Sequence, residues 1–263
     1  MLRIKFDIHD AMHNRFYIRE KIDSCFGDEI VLKSIAGHIK AFRRKIDDNI
    51  ELYDGSGNVY SAKIVRITQK DINVKLISKK TYPARNAKIS LFLPLITSHV
   101  MDQIIARVCE LEVNNIFPVI TERSISLKSE KEINFKLSKW DKISKGAMII
   151  AGKKFSTVVN IPLTLSDSFE LVKDFRLKLI AYPKTDVFLK DYLMALDFSL
   201  KNISIGIFIG PEGDFSSFEM ELSKKYGIMP VKLSNYIMST FVSSIYSISN
   251  LTCFAFSENN YES

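Results

Sequence analysis

The sequence predicts an α/β protein in two parts, a small β-barrel domain followed by a larger domain built on a mostly parallel sheet. Residues 13–80 hold short runs rich in Val, Ile and Tyr separated by turn signals, the pattern of a small barrel. From Lys88 onward, continuous apolar runs alternate with stretches of helical spacing, the pattern of strand–helix–strand units. With 263 residues, the chain is long enough for one large domain or two modest ones.

In the first part, Ile30–Leu32, Asn49–Tyr53, Val59–Ile67 and Ile72–Ile77 read as strands. Asp54-Gly55-Ser56-Gly57-Asn58 lies between two of them and is a hairpin signal, because its glycines supply the backbone freedom a tight turn needs. Ser34–Arg44 reads as one short helix. Ser78–Asn86 is polar and contains Pro83, so it reads as a linker. The expected boundary gives a barrel over 1–83 and an α/β domain over 84–263.

In the second part, Lys88–Leu95 is too continuously apolar for a half-exposed strand and fits a buried parallel one. Val100, Met101, Ile104, Ile105, Val108 and Leu111 recur at helical spacing. Asn115–Ile120, Arg176–Ala181, Ser204–Ile209 and Met229–Leu233 read as further buried strands. Ser138–Gly152, Ser216–Tyr226 and Thr240–Phe256 read as helices.

Bulk properties narrow the class. Hydrophobic residues make up 46% and charged residues 25%, an ordinary globular composition. The net charge is +7 and the pI about 9.1. The excess is concentrated early: residues 1–84 carry 16 basic against 11 acidic side chains, the remainder 21 against 19. A basic first part suits a polyanionic partner, although a solvated surface reads the same way. Cys25, Cys109 and Cys253 are far apart, and His9, His13, His38 and His99 do not cluster with acids. Neither a disulfide framework nor a metal is expected. Charges interrupt the N-terminus and no apolar run approaches membrane-spanning length. A soluble, cytoplasmic protein without membrane association is expected.

The chemistry-bearing feature follows the strand at Ser204–Ile209. Gly210-Pro211-Glu212-Gly213-Asp214-Phe215 runs into Ser216-Ser217-Phe218-Glu219, where Ser216 and Glu219 have capping-box spacing. The order is strand, glycine-bearing loop, helix start. In open α/β sheets ligands bind beyond the carboxyl ends of strands, although a plain strand-to-helix turn has the same form. The loop is neither a Walker A sequence nor G-x-G-x-x-G, which argues against nucleotide triphosphate and dinucleotide sites.

This loop resembles the G-P-E-G-G-[FL]-[ST]-x-x-E signature of the RsmE family of ribosomal RNA uridine methyltransferases, in the SPOUT superfamily. The match covers Gly210–Gly213, Phe215, Ser216 and Glu219, and Asp214 stands where a second glycine is usual. Further ordered matches run along the chain. Asn14-Arg15-Phe16-Tyr17-Ile18 is similar to the family's N-terminal R-[FY]-[FY]-[VI], which makes residues 1–12 an extension. Gly37–Arg43 resembles H-I-x-x-V-L-R and is followed by Leu52-Tyr53-Asp54-Gly55. Met101–Val113 resembles M-[ED]-x-I-I-Q-K-x-x-E-L-G-V. Phe117–Ser124 resembles P-x-x-[ST]-E-R-S, and Lys139–Ile143 resembles R-W-x-K-I.

The resemblance implies a PUA-like β-barrel that helps bind RNA, followed by an α/β SPOUT domain with a trefoil knot. It implies a homodimer, S-adenosylmethionine as methyl donor, and methylation of N3 of a uridine in 16S RNA of the small ribosomal subunit. Carried over by motif, the donor is held by Tyr182 and Pro183, by Ile209, Gly210, Pro211, Glu212 and Gly213, and by Leu233, Ser234, Tyr236, Ile237 and Met238. Arg15, Arg123 and Glu212 are the catalytic candidates. Arg15, His38, Arg43, Arg123 and Lys153 are the RNA-binding candidates. Each arginine has a structural ion pair as its alternative, and Glu212 a structural hydrogen bond.

The chain departs from the pattern at its end. Where the family has L-G-x-R-[IV]-L-R-x-E-T-A, Leu233–Ser243 places Tyr236 and Ser239 at the arginines, Phe241 at the glutamate and Val242 at the threonine. Ile149-Ile150-Ala151-Gly152-Lys153 stands for E-Q-S-G-R, and Val100 for a lysine. These changes leave open a diverged RNA-binding relative with weak or no catalysis, or a methyltransferase with a changed RNA target.

Overall fold

The structure, a computed structural model, describes residues 14–23, 26–84, 86–126, 129–196 and 203–256. The expected extension over 1–12, together with His9, His13 and Cys25, lies outside the described residues. The chain forms two compact units. One comprises the described residues through Ala84 together with Lys145–Ser156, the other the rest.

The first unit is a five-stranded sheet ordered β1-β3-β4-β5-β2. Its strands are β1 (Arg15–Tyr17), β2 (Glu29–Leu32), β3 (Asn49–Tyr53), β4 (Asn58–Ile67) and β5 (Ile72–Thr81), with helix α1 (Ala36–Ala41) between β2 and β3. Only the β1–β3 pair is parallel. Alternation along β5 sends Ile72, Val74 and Leu76 inward, where they meet Phe16, Ile18, Leu32, Ile35, Ile39 and Ile64 in one buried cluster. The Asp54–Asn58 hairpin is present. The Asp54 carboxylate accepts hydrogen bonds from the Ser56 and Asn58 backbone N–H groups and from the Ser56 hydroxyl and Asn58 amide.

Two expectations are corrected here. Ser78–Thr81 belongs to β5 and not to a linker, because its backbone continues the ladder with Asn58–Ser61 of β4 while its polar side chains stay exposed. The helix expected over Ser34–Arg44 is only Ala36–Ala41; Arg43 takes a left-handed backbone (φ 54°), which ends it.

The second unit is a seven-stranded parallel sheet. Its main path is ordered β12-β10-β11-β6-β7-β8, and β9 also pairs with β7. The strands are β6 (Lys88–Pro94), β7 (Asn115–Ile120), β8 (Val158–Val159), β9 (Leu163–Thr164), β10 (Leu177–Ala181), β11 (Ser204–Phe208) and β12 (Met229–Val231). The helices are α2 (Ser98–Val108), α3 (Glu130–Ala151, whose last turns fall in the first unit), α4 (Leu165–Leu171), α5 (Leu189–Met194), α6 (Ser217–Lys225) and α7 (Thr240–Ala255). From β6 the chain winds outward to β7, β8 and β9, crosses to β10 on the other side, and inserts β11 between β10 and β6. The mostly parallel sheet expected from the apolar runs is the one found.

Phe92 of β6 stacks on Phe208 of β11 (centroids 4.2 Å apart) and on Phe117 of β7 (5.0 Å), and Phe169 of α4 meets Phe208 edge-on. Helix α3 begins at Glu130, eight residues before the expected start, with Glu130 and Glu132 placed in its first turn where the helix dipole favours carboxylates. On α3 the buried Trp140 donates its indole N–H to Asp102 of α2 (3.1 Å), and Lys139 pairs with the same carboxylate. The two matched segments Met101–Val113 and Lys139–Ile143 thus meet at a structural contact.

Candidate active site

The three segments singled out as donor-binding follow three neighbouring strands. Tyr182-Pro183 follows β10, Ile209–Gly213 follows β11, and Leu233–Met238 follows β12. The order β12-β10-β11 and the parallel pairing bring all three loops to the same sheet edge, the ligand-binding edge of an open α/β sheet. Backbone bonds tie the segments after β10 and β12 together. The Tyr182 N–H donates to the Val231 carbonyl (2.9 Å). Lys232 N–H donates to the Val187 carbonyl (2.7 Å), and Leu189 N–H to the Lys232 carbonyl (2.9 Å). Thr240, at the start of α7, donates its hydroxyl to the Gly210 carbonyl (2.9 Å).

The loop after β11 is anchored at both ends. Ile209 donates its N–H to the Phe92 carbonyl (3.0 Å). Phe215 is 5% exposed and belongs to the core cluster of Phe92, Phe169 and Phe208. Asp214 N–H donates to the Pro211 carbonyl (2.8 Å), closing a turn over Glu212 and Gly213. The predicted capping box is present: the Ser216 hydroxyl accepts from Glu219 N–H, and the Glu219 carboxylate accepts from Ser216 N–H.

The loop leaves little room for side chains at its glycines. A Cβ on Gly213 would lie 3.0 Å from Cδ of Arg123, and one on Gly210 would lie 3.1 Å from Oδ1 of Asp214. Asp214, which stands where the resembled motif usually has a glycine, adopts φ 61°. That conformation is natural to glycine and tolerated by Asp, so the backbone geometry of the loop survives the exchange.

Two residues from the loop after β7 complete the arrangement, one through its side chain and one through its backbone. Arg123 donates through Nη1 to the Gly213 carbonyl. Glu122 donates its backbone N–H to Oε1 of Glu219 (2.8 Å). Glu219 is buried and holds the start of α6 to the Thr121–Ser124 turn. Asp214 is partly buried, and burial pushes its carboxyl above the usual Asp range. Glu219 acts in the same direction, while the Phe215 N–H, Lys184 and Arg123 oppose it. Glu212 is exposed.

In the segment after β12 the Ser234 hydroxyl donates to the Tyr236 carbonyl (2.8 Å) and accepts from Tyr236 N–H (3.0 Å), a local turn fixed by one side chain. Tyr236 and Ile237 project outward, 85% and 90% exposed, while Leu233, Ser234 and Met238 are half-buried.

The remaining RNA-binding candidates belong to the first unit. Arg15 lies 3.5 Å from Glu51 and packs over Gly152. Gly152 has φ 65°, and a Cβ there would lie 2.6 Å from Nη1 of Arg15. The glycine retained from the E-Q-S-G-R pattern therefore has two reasons to persist: the left-handed turn after α3 and the space Arg15 fills. Lys153 follows it in the chain. His38 and Arg43 are exposed, on α1 and just beyond it.

Sequence reading passed over the part played by Asp214, Glu219 and Thr240 as internal ties of the loop. The capping-box spacing marked Glu219 as a helix start, but its bond to Glu122 spans 97 positions and has no local signal.

A family model described as an RNA methyltransferase domain matches residues 83–252. Among curated relatives, the chain is 25% identical over 232 residues to "Ribosomal RNA small subunit methyltransferase E" of Mesomycoplasma hyopneumoniae, covering 88% of this chain and 96% of the relative. Among solved structures, it is similar to a methyltransferase of Legionella pneumophila with the bound cofactor SAM, at a TM-score of 0.82 and 24% identity, covering 90% of this chain and 96% of that one. It is also similar to ribosomal RNA small subunit methyltransferase E of Neisseria gonorrhoeae bound to S-adenosyl methionine, at a TM-score of 0.80 and 22% identity over the same shares. The last two likenesses bear on the fold: both extend over the small sheet and the parallel one.

Proposed function

We propose, on the premise that this chain belongs to the RNA methyltransferase domain family, that it transfers a methyl group from S-adenosylmethionine to N3 of a uridine in the RNA of the small ribosomal subunit. The observation that carries the reading is the convergence of the three loops after β10, β11 and β12 at one sheet edge, where backbone hydrogen bonds join the segments after β10 and β12 and the Thr240 hydroxyl ties the loop after β11 to the start of α7. The names of the relatives and the donor bound in two similar structures support it.

The residues present suit the donor. Gly210 and Gly213 keep side chains out of the loop after β11, so backbone groups can approach a ligand closely. Leu233, Met238 and Tyr182 are half-buried beside the polar backbone and offer apolar and aromatic surface. Tyr182, Pro183, Ile209–Gly213, Leu233, Ser234 and Tyr236–Met238 would hold the donor. Bound there, S-adenosylmethionine supplies a methyl group already activated on a sulfonium, so the protein's work is mainly positioning.

Arg123, exposed beside the loop, is assigned to orienting RNA and to stabilising charge that develops on the uridine ring, and Arg15, in the first unit, is the other arginine candidate for that role. Glu212, also exposed, is assigned to an RNA group or a loop amide. His38 and Arg43, in a PUA-like RNA-binding domain over 1–83, and Lys153, just after α3, are assigned to phosphate contacts. The catalytic domain over 84–263 would carry the knotted threading of its last segment. A homodimer is consistent with the exposed Tyr236, Ile237 and Val242, apolar groups that a second copy would cover.

Calorimetric titration of the whole protein with S-adenosylmethionine, followed by mass spectrometry of small-subunit RNA from cells with and without the gene, tests the reading. Donor binding together with N3-methyluridine that disappears with the gene is expected. A protein that does not bind the donor rejects it.

A further inference from the structure

Transfer to N3 requires a group to take the N3 proton, and the loops offer few candidates. The carboxylates in the segments 121–126, 182–188, 209–216 and 232–239 are Glu122, Asp186, Glu212 and Asp214. Glu122, Asp186 and Glu212 are exposed. Glu219, just inside α6, is buried but already accepts from Ser216 N–H and Glu122 N–H, one on each oxygen. Asp214 is different. It is half-buried at the carboxyl end of β11, and Oδ1 accepts from Phe215 N–H (2.8 Å). Among the described residues Oδ2 makes no protein hydrogen bond. Its left-handed backbone (φ 61°) is one that glycine, the usual residue at this position of the resembled motif, would occupy without strain, so local conformation gives no reason for a side chain and the carboxylate is this chain's own departure.

We propose that Asp214 is the proton acceptor of the methyl transfer. This rests on the reading of the site as an N3-uridine methyltransferase. As the N3 lone pair forms its bond to the methyl carbon, the carbon–sulfur bond breaks and its electron pair returns to sulfur. The N3–H bond breaks and the proton passes to Oδ2, leaving neutral Asp214, N3-methyluridine and the thioether product. Partial burial suits the role, since a desolvated carboxylate is a stronger base than one in water. The charged groups that face it are Lys184 after β10, Arg123 after β7 and Glu219 on α6. Arg123 is held on the Gly213 carbonyl and Glu219 in the capping box.

Asp214→Asn tests this directly. Asn tolerates the left-handed backbone and keeps an oxygen for Phe215 N–H, but it cannot take a proton. Asp214→Gly is a second variant without a base whose backbone fits at least as well, and Asp214→Glu retains one. Single-turnover methylation of small ribosomal subunits from cells lacking the gene is measured against pH at saturating donor. Both Asn and Gly variants are expected to bind S-adenosylmethionine within about threefold of the parent and to lose about 10²–10⁴ in rate. They should also lose the parent's acid limb, in which rate rises with pH as Asp214 ionises. Their deficit should shrink at high pH, where N3 ionises unaided, and Glu should restore part of the rate. A full rate in either variant, or an acid limb shared by all of them, overturns the assignment. A parent that binds the donor and leaves N3 unmethylated overturns the reaction, and the role of Asp214 with it.

Discussion

Replacing Glu219 with alanine should loosen the candidate site from within. The carboxylate is 5% exposed and accepts two backbone N–H groups at 2.8 Å, from Ser216 inside its own capping box and from Glu122 in the turn after β7. Each is a charge-assisted bond worth about 1.5–3 kcal/mol. The Glu122 end borders solvent, where water can replace part of the loss, so the combined cost is about 3 kcal/mol. For a folding unit of this size that lowers the melting temperature by about 6–12 °C. Glu219→Gln keeps one acceptor oxygen and should recover about half of the loss. The assay is calorimetric melting of the full chain, paired with donor titration, in which the alanine variant should bind more weakly because the loop after β11 loses its tie to β7. An alanine variant that melts within about 2 °C of the parent would refute the assignment of Glu219 as a tie.

Three further outcomes are expected. Gly57→Ala should destabilise the first unit by about 2–4 kcal/mol, because Gly57 has φ 103° and a Cβ would lie 2.6 Å from Phe155 and 2.8 Å from the Tyr82 carbonyl, a backbone atom that cannot swing away; denaturant titration of the full chain reads this. Thr240→Val removes the hydroxyl bond to the Gly210 carbonyl and should weaken S-adenosylmethionine binding about fivefold by calorimetry, an effect of about 1 kcal/mol. Glu20 should make stability fall in acid. Its partial burial works against ionisation, but hydrogen bonds from the Ser34 hydroxyl and N–H and from Lys33 N–H outweigh it and hold the carboxyl down at about 2. Because the folded value lies below the ordinary one, the stabilisation is full above the ordinary Glu range and is lost as pH falls toward 2. Melting curves of the parent and of Glu20→Gln should therefore converge as the pH falls through that window, and a constant gap between them would count against this.

Much of the fold was legible because periodicity reports burial. The continuous apolar runs at Lys88–Leu95 and Ser204–Ile209 became neighbouring parallel strands buried on both faces. The capping-box spacing of Ser216 and Glu219 set the start of α6 to the residue. Where sequence reading failed, the deciding partner was distant. Ser78–Thr81 is polar and looked like a linker, yet its backbone pairs with β4 regardless of its side chains. The short strands β8 and β9 hold two residues each and exist only because β7 is there to pair with. That Lys145–Ser156 packs with the first unit is a matter of contacts far apart in sequence.

The candidate site divides along the same line. Local sequence determined a glycine-bearing loop between a buried strand and a capped helix, because strand burial, glycine freedom and cap spacing are all encoded within a few residues. The ordered motifs determined the resemblance that gave the loop a ligand. Tertiary structure alone decided that β12, β10 and β11 lie side by side, so that three loops separated by many residues share one edge. It also decided that Glu219 is tied to Glu122, Thr240 to Gly210 and Arg123 to Gly213, and that Asp214, rather than Glu212, is the loop carboxylate drawn partly out of water. Burial and hydrogen bonding between remote segments set the chemistry of a carboxylate, and neither is a property of the residues beside it in the chain.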